Sequence, residues 1–387
     1  DLQRWAEADR AARPGRLDML RERMAREGVD AYFGVRRENT RYLTGFELGE
    51  GEEKVAGNSG QFIVGRDDVV VFADSRYTAA AAEQCRGSRV EQVYNDIYAR
   101  WPHMLASLGD VRRVAVEAGF VSHAMWQRLD DAAPNVELVS AEGWVEALRQ
   151  VKEPAELERI AAACAVADAA LGKLLPQIKP GVTEHELALA LEWEMRTNGA
   201  EALAFDVACL AGPQAALPHG SPSDRKVKAG EVLLFDFGAQ VAGYRSDMTR
   251  TLFVGEPDDK SLEIYEIVAR AQQASFDALS HAVAGGSRPS GRAIHMLAKE
   301  VIVDAGYGDH FGHGLGHGIG LATHEMPGLG MSAPDVPLPS PTVFSVEPGI
   351  YLDGVTGVRI EDLVVFDAAS RRLDRLTMFP REVTVVG

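Results

Sequence analysis

The chain has 387 residues and a formal net charge of −17 at pH 7, from 57 acidic and 40 basic residues. This length exceeds the size at which a single hydrophobic core usually stops growing, so two domains are expected. The excess of negative charge argues against nucleic acid or an anionic membrane as a partner, because both are bound through basic surfaces.

The first 150 residues predict a smaller α/β domain. Apolar residues at helical spacing run up to Gly28, and the strand-like AYFGV begins at Ala31. The apolar stretch QFIVGRDDVVVFA predicts one strand, which is followed by DSRY from Asp74. The Glu- and Gly-rich stretch Leu48–Ser59 predicts a solvated loop, and a loop that reaches an active site across a dimer interface is the alternative.

The sequence changes character near residue 150. The stretch from Trp144 to Lys152 passes into Pro154, which opens a long amphipathic helix that extends to Leu174. We therefore expect a domain boundary here, with one domain at residues 1–150 and another at residues 151–387.

The second half predicts two similar units. Residues 155–199 form a helix pair in which Thr183, followed by Glu186, caps the second helix, and residues 261–306 form another pair with Ser290 as a cap. Each pair precedes a hairpin that carries acidic residues. The pattern predicts an α+β domain of antiparallel strands covered by helices, with a site between its two halves.

Four carboxylates and one histidine are the candidate metal ligands. An unpaired charge in or beside such apolar strands would cost several kcal/mol to bury, so something must neutralise the set. Two divalent cations would supply that charge, and oxygen donors with one nitrogen donor suit Mn²⁺, Co²⁺ or Zn²⁺. The candidates are Asp236, Asp247, His317, Glu347 and Glu361.

The spacing of the acidic residues supports the prediction. Asp236 and Asp247 flank the turn-like stretch 241–244, and Glu347 and Glu361 flank Asp353-Gly354, so a hairpin can bring each pair together. Taken singly, an Asp in a strand is more often an edge or turn residue. The prediction therefore depends on the whole set.

Further candidates are polar groups close to these ligands. The segment HGLGHGIGLATHE contains His317, and we expect His313 and His324 to be donors near the reacting centre. His219 lies in a turn-rich loop, LPHG, before the Asp236 strand. Arg359 and Glu361 fall on the same face of one predicted strand, so Arg359 can orient that carboxylate, although a surface arginine is the alternative.

These segments resemble the metal-dependent Xaa-Pro peptidase family, which includes aminopeptidase P, prolidase and, more distantly, methionine aminopeptidase. The similarity is carried by LPHG, FDFG, SDMTR, GHGIGL, THE, VEPGIY and RIED, and the N-terminal segment from Arg16 resembles the family's smaller domain. The resemblance implies that residues 1–150 form a non-catalytic creatinase-like domain and that residues 151–387 form a catalytic pita-bread (creatinase/aminopeptidase) domain of α+β class. It also implies a homodimer.

The resemblance also implies roles for single residues. Asp236 would bind one metal, Asp247 and Glu361 would bridge both, and His317 and Glu347 would complete the second. His219 and His324 would bind substrate or stabilise the tetrahedral intermediate, with His313 and Arg359 in supporting positions. Glu347 is also our candidate for moving the proton from nucleophile to leaving amine.

The expected activity is hydrolysis of the Xaa-Pro bond at peptide N-termini with two divalent ions, Mn²⁺ first and Co²⁺ or Zn²⁺ in its place. A dipeptidase (prolidase) is the main competing hypothesis and would need a cation near the substrate carboxylate, for which Arg76, Arg245 and Arg359 are candidates. A lyase or hydrolase of the same fold that acts on a small non-peptide substrate, and a metal-free binding module, are also compatible with the fold.

Cysteine usage and hydropathy bear on the compartment. Cys85, Cys164 and Cys209 are odd in number and have no metal-like spacing, which predicts reduced thiols in the core. The sequence shows no signal-peptide pattern and no uncharged apolar run long enough to span a bilayer. A cytoplasmic protein is expected.

Overall fold

A computed structural model describes residues 1–49, 51–52 and 55–387. The chain divides into two compact units, Asp1–Arg149 and Gln150–Gly387. Each unit combines helices with a sheet, and the α/β and α+β classes predicted for the two halves are confirmed. The three cysteines are free and buried, as predicted.

The first unit is a six-stranded mixed sheet in the order β4-β3-β2-β1-β5-β6 with helices around it. Its helices are α1 (Leu2–Glu27), α2 (Arg37–Thr44), α3 (Thr78–Gln84), α4 (Ile97–Ala106), α5 (His123–Ala132) and α6 (Trp144–Arg149). Its strands are β1 (Ala31–Gly34), β2 (Phe62–Val64), β3 (Val69–Ala73), β4 (Arg89–Gln92), β5 (Arg113–Val116) and β6 (Glu137–Ser140).

Two predictions for this unit change in detail. The stretch QFIVGRDDVVVFA is an antiparallel hairpin of β2 and β3, not one strand, because Gly65 donates to the Asp68 carbonyl and turns the chain. Of the loop predicted at Leu48–Ser59, Glu50, Glu53 and Lys54 lie outside the described residues. Among the others, the Glu52 amide donates to the Gly49 carbonyl and the Val55 amide donates to the Glu52 carbonyl.

The second unit packs four helices against antiparallel sheets. The helices are α7 (Pro154–Leu174), α8 (Glu184–Thr197), α9 (Asp259–Ala284) and α10 (Gly291–Asp304). The strands are β7 (Ala202–Leu203), β8 (Ala208–Ala211), β9 (Val232–Phe237), β10 (Ala239–Val241), β11 (Tyr244–Arg245), β12 (Met248–Val254), β13 (Gly316–Gly318), β14 (Glu325–Leu329), β15 (Thr342–Val346), β16 (Gly349–Leu352), β17 (Thr356–Arg359), β18 (Asp362–Asp367), β19 (Arg372–Arg375) and β20 (Val385–Val386).

The two predicted helix pairs are present, and each packs on its own sheet. Side chains of α7 and α8 share a core with β8, β9 and β12, which belong to the sheet β20-β12-β9-β8. Side chains of α9 and α10 share a second core with residues of β15 and β18, which belong to the sheet β14-β13-β15-β18-β19. The two sheets provide the strands that carry the predicted ligands.

One helix, Pro154–Gln177, is long and apolar enough to cross a membrane by length and composition alone. A buried core helix satisfies the same criterion, and Leu171 and Leu174 of this helix are fully buried in the core of the second unit. Its apolar face is therefore accounted for by packing.

Both predicted helix caps are confirmed. The Thr183 hydroxyl accepts the Glu186 amide at 3.1 Å, and the Glu186 carboxylate accepts the Thr183 amide at 2.8 Å, which completes a capping box. The Ser290 hydroxyl accepts the Ala293 amide at 3.2 Å at the start of α10. Each cap satisfies an amide that the helix itself leaves without a partner.

We expect Thr183→Ala to lower the free energy of unfolding by about 1 kcal/mol, the usual effect of losing an N-cap hydroxyl. Thr197→Ala is the control, because that hydroxyl donates to helix carbonyls at the opposite end of α8 and its loss should cost less than about 0.5 kcal/mol. Urea unfolding of both variants measures the difference. Equal costs would show that the capping box contributes nothing specific.

Candidate metal centre

A cavity of about 480 Å³ in the second unit contains all of the predicted site residues. Its lining includes the five candidate ligands Asp236, Asp247, His317, Glu347 and Glu361, together with His219, His313, His324 and Arg359. Phe205, Asp206, Pro218 and Thr323, which the sequence analysis did not single out, also line it. Side chains that are far apart in sequence therefore meet in one concave, acidic space.

Strand pairing explains why the acidic residues meet. In the antiparallel pair of β9 and β12, Asp236 lies opposite Thr249, two residues after Asp247. In the pair of β15 and β18, Val346 lies opposite Asp362, so the next residues outward are Glu347 and Glu361. The Glu361 amide donates to the Thr249 carbonyl at 3.1 Å and joins the two pairs. Both predicted hairpins are present.

The sequence analysis was wrong about one strand. It placed Arg359 and Glu361 on one face of a single strand, but β17 ends at Arg359 and β18 begins at Asp362. The chain changes partner here, since β17 pairs with β16 while β18 pairs with β15 and β19. Arg359 and Glu361 nevertheless both face the cavity.

Three of the ligand candidates lie within coordinating distance of a common point. Donor atoms of Asp247, His317 and Glu361 are all within 4.8 Å of one another. His317 Nε2 is 3.3 Å from Glu347 Oε1 and 3.6 Å from Asp247 Oδ2. Asp236 is held by Arg359, whose Nη2 donates to Oδ2 at 2.6 Å, so its other oxygen remains available to the cavity.

His317 is oriented as a ligand. Its Nδ1 is 3.0 Å from the Gly318 carbonyl, which can only accept, so Nδ1 carries a proton and Nε2 faces the carboxylates. The Ser345 hydroxyl accepts the His317 amide at 3.0 Å and donates to Glu347 at 2.8 Å. A second hydrogen bond that fixes the imidazole and a ligand carboxylate in this way is usual at metal sites.

The electrostatics of the cavity show that the carboxylates repel each other. Burial raises the pKa of Asp247 well above its usual range, and Glu361 and Asp236 raise it further. Burial likewise raises the pKa of Glu361, helped by Glu347 and Asp236. Burial raises the pKa of Asp236 too, although Arg359 opposes this. Negative charge at these residues is costly without a compensating cation.

Glu347 and His317 form a coupled pair. Burial opposes ionisation of Glu347, but the hydrogen bond and charge of His317 outweigh it and lower the pKa of Glu347 to about 2. Burial also opposes the charge on His317, but Glu347 and then Glu361 raise the pKa of His317 to about 9. Because a ligand imidazole must be neutral, a proton and a metal ion would compete for Nε2.

The environment of one buried atom, Glu361 Oε1, indicates whether a cation fits this site. Glu361 Oε2 accepts from Thr249 Oγ1 at 2.7 Å, whereas Oε1 has no hydrogen-bond partner among the described residues although it is buried. Buried carboxylate oxygens normally have one, and coordination to a divalent ion would satisfy this oxygen. The orphaned oxygen, the mutual repulsion and the oriented imidazole together fit divalent metal ions.

A hydrogen-bond network behind Asp236 includes Tyr351, which the sequence analysis did not identify. Arg359 donates to Asp236, to the Tyr351 hydroxyl at 2.9 Å and to Thr249 Oγ1 at 3.0 Å. The Tyr351 hydroxyl is 2.8 Å from His313 Nε2, and His313 Nδ1 is 2.7 Å from the Gly314 carbonyl. Burial lowers the pKa of His313. A neutral His313 protonated on Nδ1 therefore accepts from Tyr351.

Comparison with known proteins agrees with this geometry. The model of metallopeptidase family M24 matches residues 158–368, and the model of the creatinase/prolidase N-terminal domain matches residues 16–151. The chain is 32% identical to the Xaa-Pro dipeptidase of Pyrococcus furiosus over 95% of this chain and 99% of that protein.

Solved structures of similar proteins cover nearly the whole chain. The Xaa-Pro dipeptidase from Bacillus anthracis superposes with a TM-score of 0.86 at 32% identity, covering 96% of this chain and 99% of that one. The X-Pro aminopeptidase from Thermotoga maritima gives 0.83 at 34% identity, with the same coverage. Both types of peptidase are therefore similar to this chain to nearly the same degree.

We expect the protein to bind about two divalent ions per chain, and Asp247→Asn to lower that number because a neutral amide bridges two cations poorly. Asp206→Asn is the matched control, since Asp206 lines the same cavity but is exposed and is not a predicted ligand. Elemental analysis after dialysis against Mn²⁺ measures both. Unchanged metal content in Asp247→Asn would show that the bridge is assigned wrongly.

Proposed function

We propose that this chain, which belongs to metallopeptidase family M24, is an Xaa-Pro aminopeptidase that releases the first residue from peptides with proline in second position. The chain is a metallopeptidase whose catalytic domain has the pita-bread fold, as the sequence predicted. We propose Mn²⁺ as the ion, because the donor set of four carboxylates and one imidazole suits it. Such ions supply a water deprotonated near neutral pH and polarise the scissile carbonyl.

The histidines at the mouth of the cavity are suited to bind the substrate. His219 and His324 are exposed, and neither ring makes a hydrogen bond in the described part of the chain, so both are available to a ligand. Partial burial of the ring lowers the pKa of His324. A neutral His324 can donate one N–H to the oxygen on which negative charge develops.

Glu347 is placed to move a proton. Its carboxylate faces the cavity and is held by the Ser345 hydroxyl, which leaves it close to His317 and fixed in direction. A positioned carboxylate can take a proton from water and pass it to a leaving amine. Arg359 holds Asp236 and Tyr351 in place from behind and thereby supports the shape of the site.

The proposed preference of the enzyme for peptides longer than a dipeptide depends on the basic side chains of the described cavity lining, which already have hydrogen-bond partners or a lowered pKa. Arg359 is the only Arg or Lys in that described lining, and its three donor groups are directed at Asp236, Tyr351 and Thr249. Burial lowers the pKa of His313 and of His324, which disfavours a positive charge on either. A dipeptide would bring its own carboxylate into this acidic space without a partner.

The other two candidate cations are engaged elsewhere. Arg245 lies behind Thr323, where Nη1 donates to the Thr323 hydroxyl and to the Ala204 carbonyl at 3.0 and 3.1 Å. Arg76 belongs to the first unit and forms a bidentate pair with Asp74. Neither observation supports a dipeptide carboxylate site, so the aminopeptidase is the better-supported proposal.

Product analysis with Mn²⁺-loaded protein tests this proposal. We expect kcat/KM for an Xaa-Pro-Yaa tripeptide to exceed that for the Xaa-Pro dipeptide at least tenfold, because the tripeptide moves its carboxylate away from a described lining whose one arginine is already engaged. The same dipeptide with an amidated C-terminus is the control and should be cleaved like the tripeptide. Preference for the free dipeptide would instead identify a dipeptidase.

A second prediction separates substrate binding from metal binding. His324→Ala and His219→Ala should keep both ions while turnover falls at least tenfold, the lower range for lost acid–base or oxyanion assistance. His185→Ala is the control, because that exposed ring contacts Asp224 on the surface. Kinetics and elemental analysis on one preparation decide it. If a variant lost metal in proportion to its loss of turnover, the substituted histidine would be a metal ligand and not a substrate donor.

A further inference from the structure

The second unit contains a buried ion pair that does not line the cavity. Lys152 Nζ donates to Glu325 Oε2 at 3.0 Å, and the two side chains are only 1% and 6% exposed. Lys152 immediately precedes α7, and its backbone amide is bound to the Pro341 carbonyl. A buried pair of this kind is seldom a net source of stability, because desolvation offsets the attraction, so its position calls for another explanation.

Glu325 organises the loop that carries His324. Its second oxygen, Oε1, accepts the Ala322 amide at 2.8 Å, and the Gly320 amide donates to the Ala322 carbonyl at 3.1 Å. The loop from Gly320 to Glu325 is thus folded around one carboxylate. Lys152 binds the other oxygen of that carboxylate. It therefore fixes the position of the Glu325 side chain, to which the loop backbone is hydrogen-bonded.

His324 depends on this loop for its orientation. In the residues that the structure describes, its ring has no hydrogen bond, and its centroid is 4.3 Å from that of His317. On the preceding side the Thr323 hydroxyl donates to the Ala204 carbonyl, and on the following side the chain is fixed by Glu325. The backbone on both sides therefore has to set where the ring points.

The packing at Gly320 leaves little freedom for the ion pair. A Cβ atom at this position would lie 2.7 Å from Lys152 Nζ and 3.0 Å from Glu325 Oε2. The first distance is shorter than Cβ contacts in real proteins and the second is at their tight end, so a side chain here would displace Lys152 Nζ. Glycine at 320 thus preserves the contact between Lys152 and the loop.

We propose that Lys152 and Glu325 are positioning residues that hold His324 in the orientation in which it meets the substrate. The inference rests on the proposed function, in which His324 is a substrate donor. Neither residue touches substrate; both act through the backbone of the Gly320–Glu325 loop.

The test is a double-mutant cycle. The variant Lys152→Met/Glu325→Gln removes the charges of both partners together, so that neither is left opposite the vacated place of the other, and Gln can still accept the Ala322 amide. We expect it to lower kcat/KM for an Xaa-Pro-Yaa peptide about tenfold in the wild-type background and less than about twofold in a His324→Ala background. Metal content should be unchanged in every variant.

The control applies the same two chemical changes to an exposed pair. Lys260 Nζ lies 2.6 Å from Glu263 Oε2, and both side chains are about half exposed, so Lys260→Met/Glu263→Gln should leave kcat/KM unchanged. If the buried variant loses activity equally with and without His324, the pair has a general structural role and the proposal is wrong. Wild-type kinetics in the buried variant would also overturn it.

A second readout does not depend on peptidase activity. The readout is the NMR spectrum of Zn²⁺-loaded protein with isotope-labelled histidine. The chemical shifts of the His324 ring should change in Lys152→Met/Glu325→Gln, while those of the exposed His185 ring should not. Unchanged His324 signals contradict the proposal even if the wild type cleaves no Xaa-Pro peptide, an outcome that would refute only the proposed function. Gly320→Ala, which should displace the same pair, replaces the double variant if that fails to fold.

Discussion

The mutual repulsion of four carboxylates in one cavity, two buried and two partly buried, is the constraint on which the rest of this structure depends. Asp236, Asp247, Glu347 and Glu361 share one cavity, where burial and their neighbours raise the pKa of Asp247 and of Glu361. No fold gathers such charge without a means of compensating it. The strand pairs, the oriented His317 and the Arg359 network are all arranged around that requirement, and divalent ions are the compensation that fits.

The sequence predicted the elements that depend on local pattern. Helix spacing, the Thr183 and Ser290 caps and the turn residues of both hairpins are properties of short segments, so they could be read directly. Thr249 and Ser345 were missed, although each lies two residues from a candidate ligand on the same strand face. Period-two alternation, applied to Asp247 and Glu347, would have indicated both.

Other features were not predictable from local pattern because they arise from tertiary contacts. Tyr351 bridges His313 and Arg359 only once the β16–β17 hairpin is folded over the site, and Lys152 meets Glu325 across 173 positions of sequence. The break between Arg359 and Asp362 was hidden for a similar reason: residues 358–365 contain no Gly or Pro and read as one strand, and only the change of pairing partner ends it.

The most direct measurement of this account is the free energy of unfolding of Asp247→Asn with and without Mn²⁺, at about pH 8, above the ordinary pKa of carboxylates. In metal-free protein, removing one charge from the cluster should relieve repulsion, so the variant should be more stable than the wild type. At saturating Mn²⁺ the order should reverse, because the variant binds the ions more weakly. A variant that is less stable than the wild type by the same amount in both conditions would contradict the claim that carboxylate repulsion, compensated by cations, governs this site.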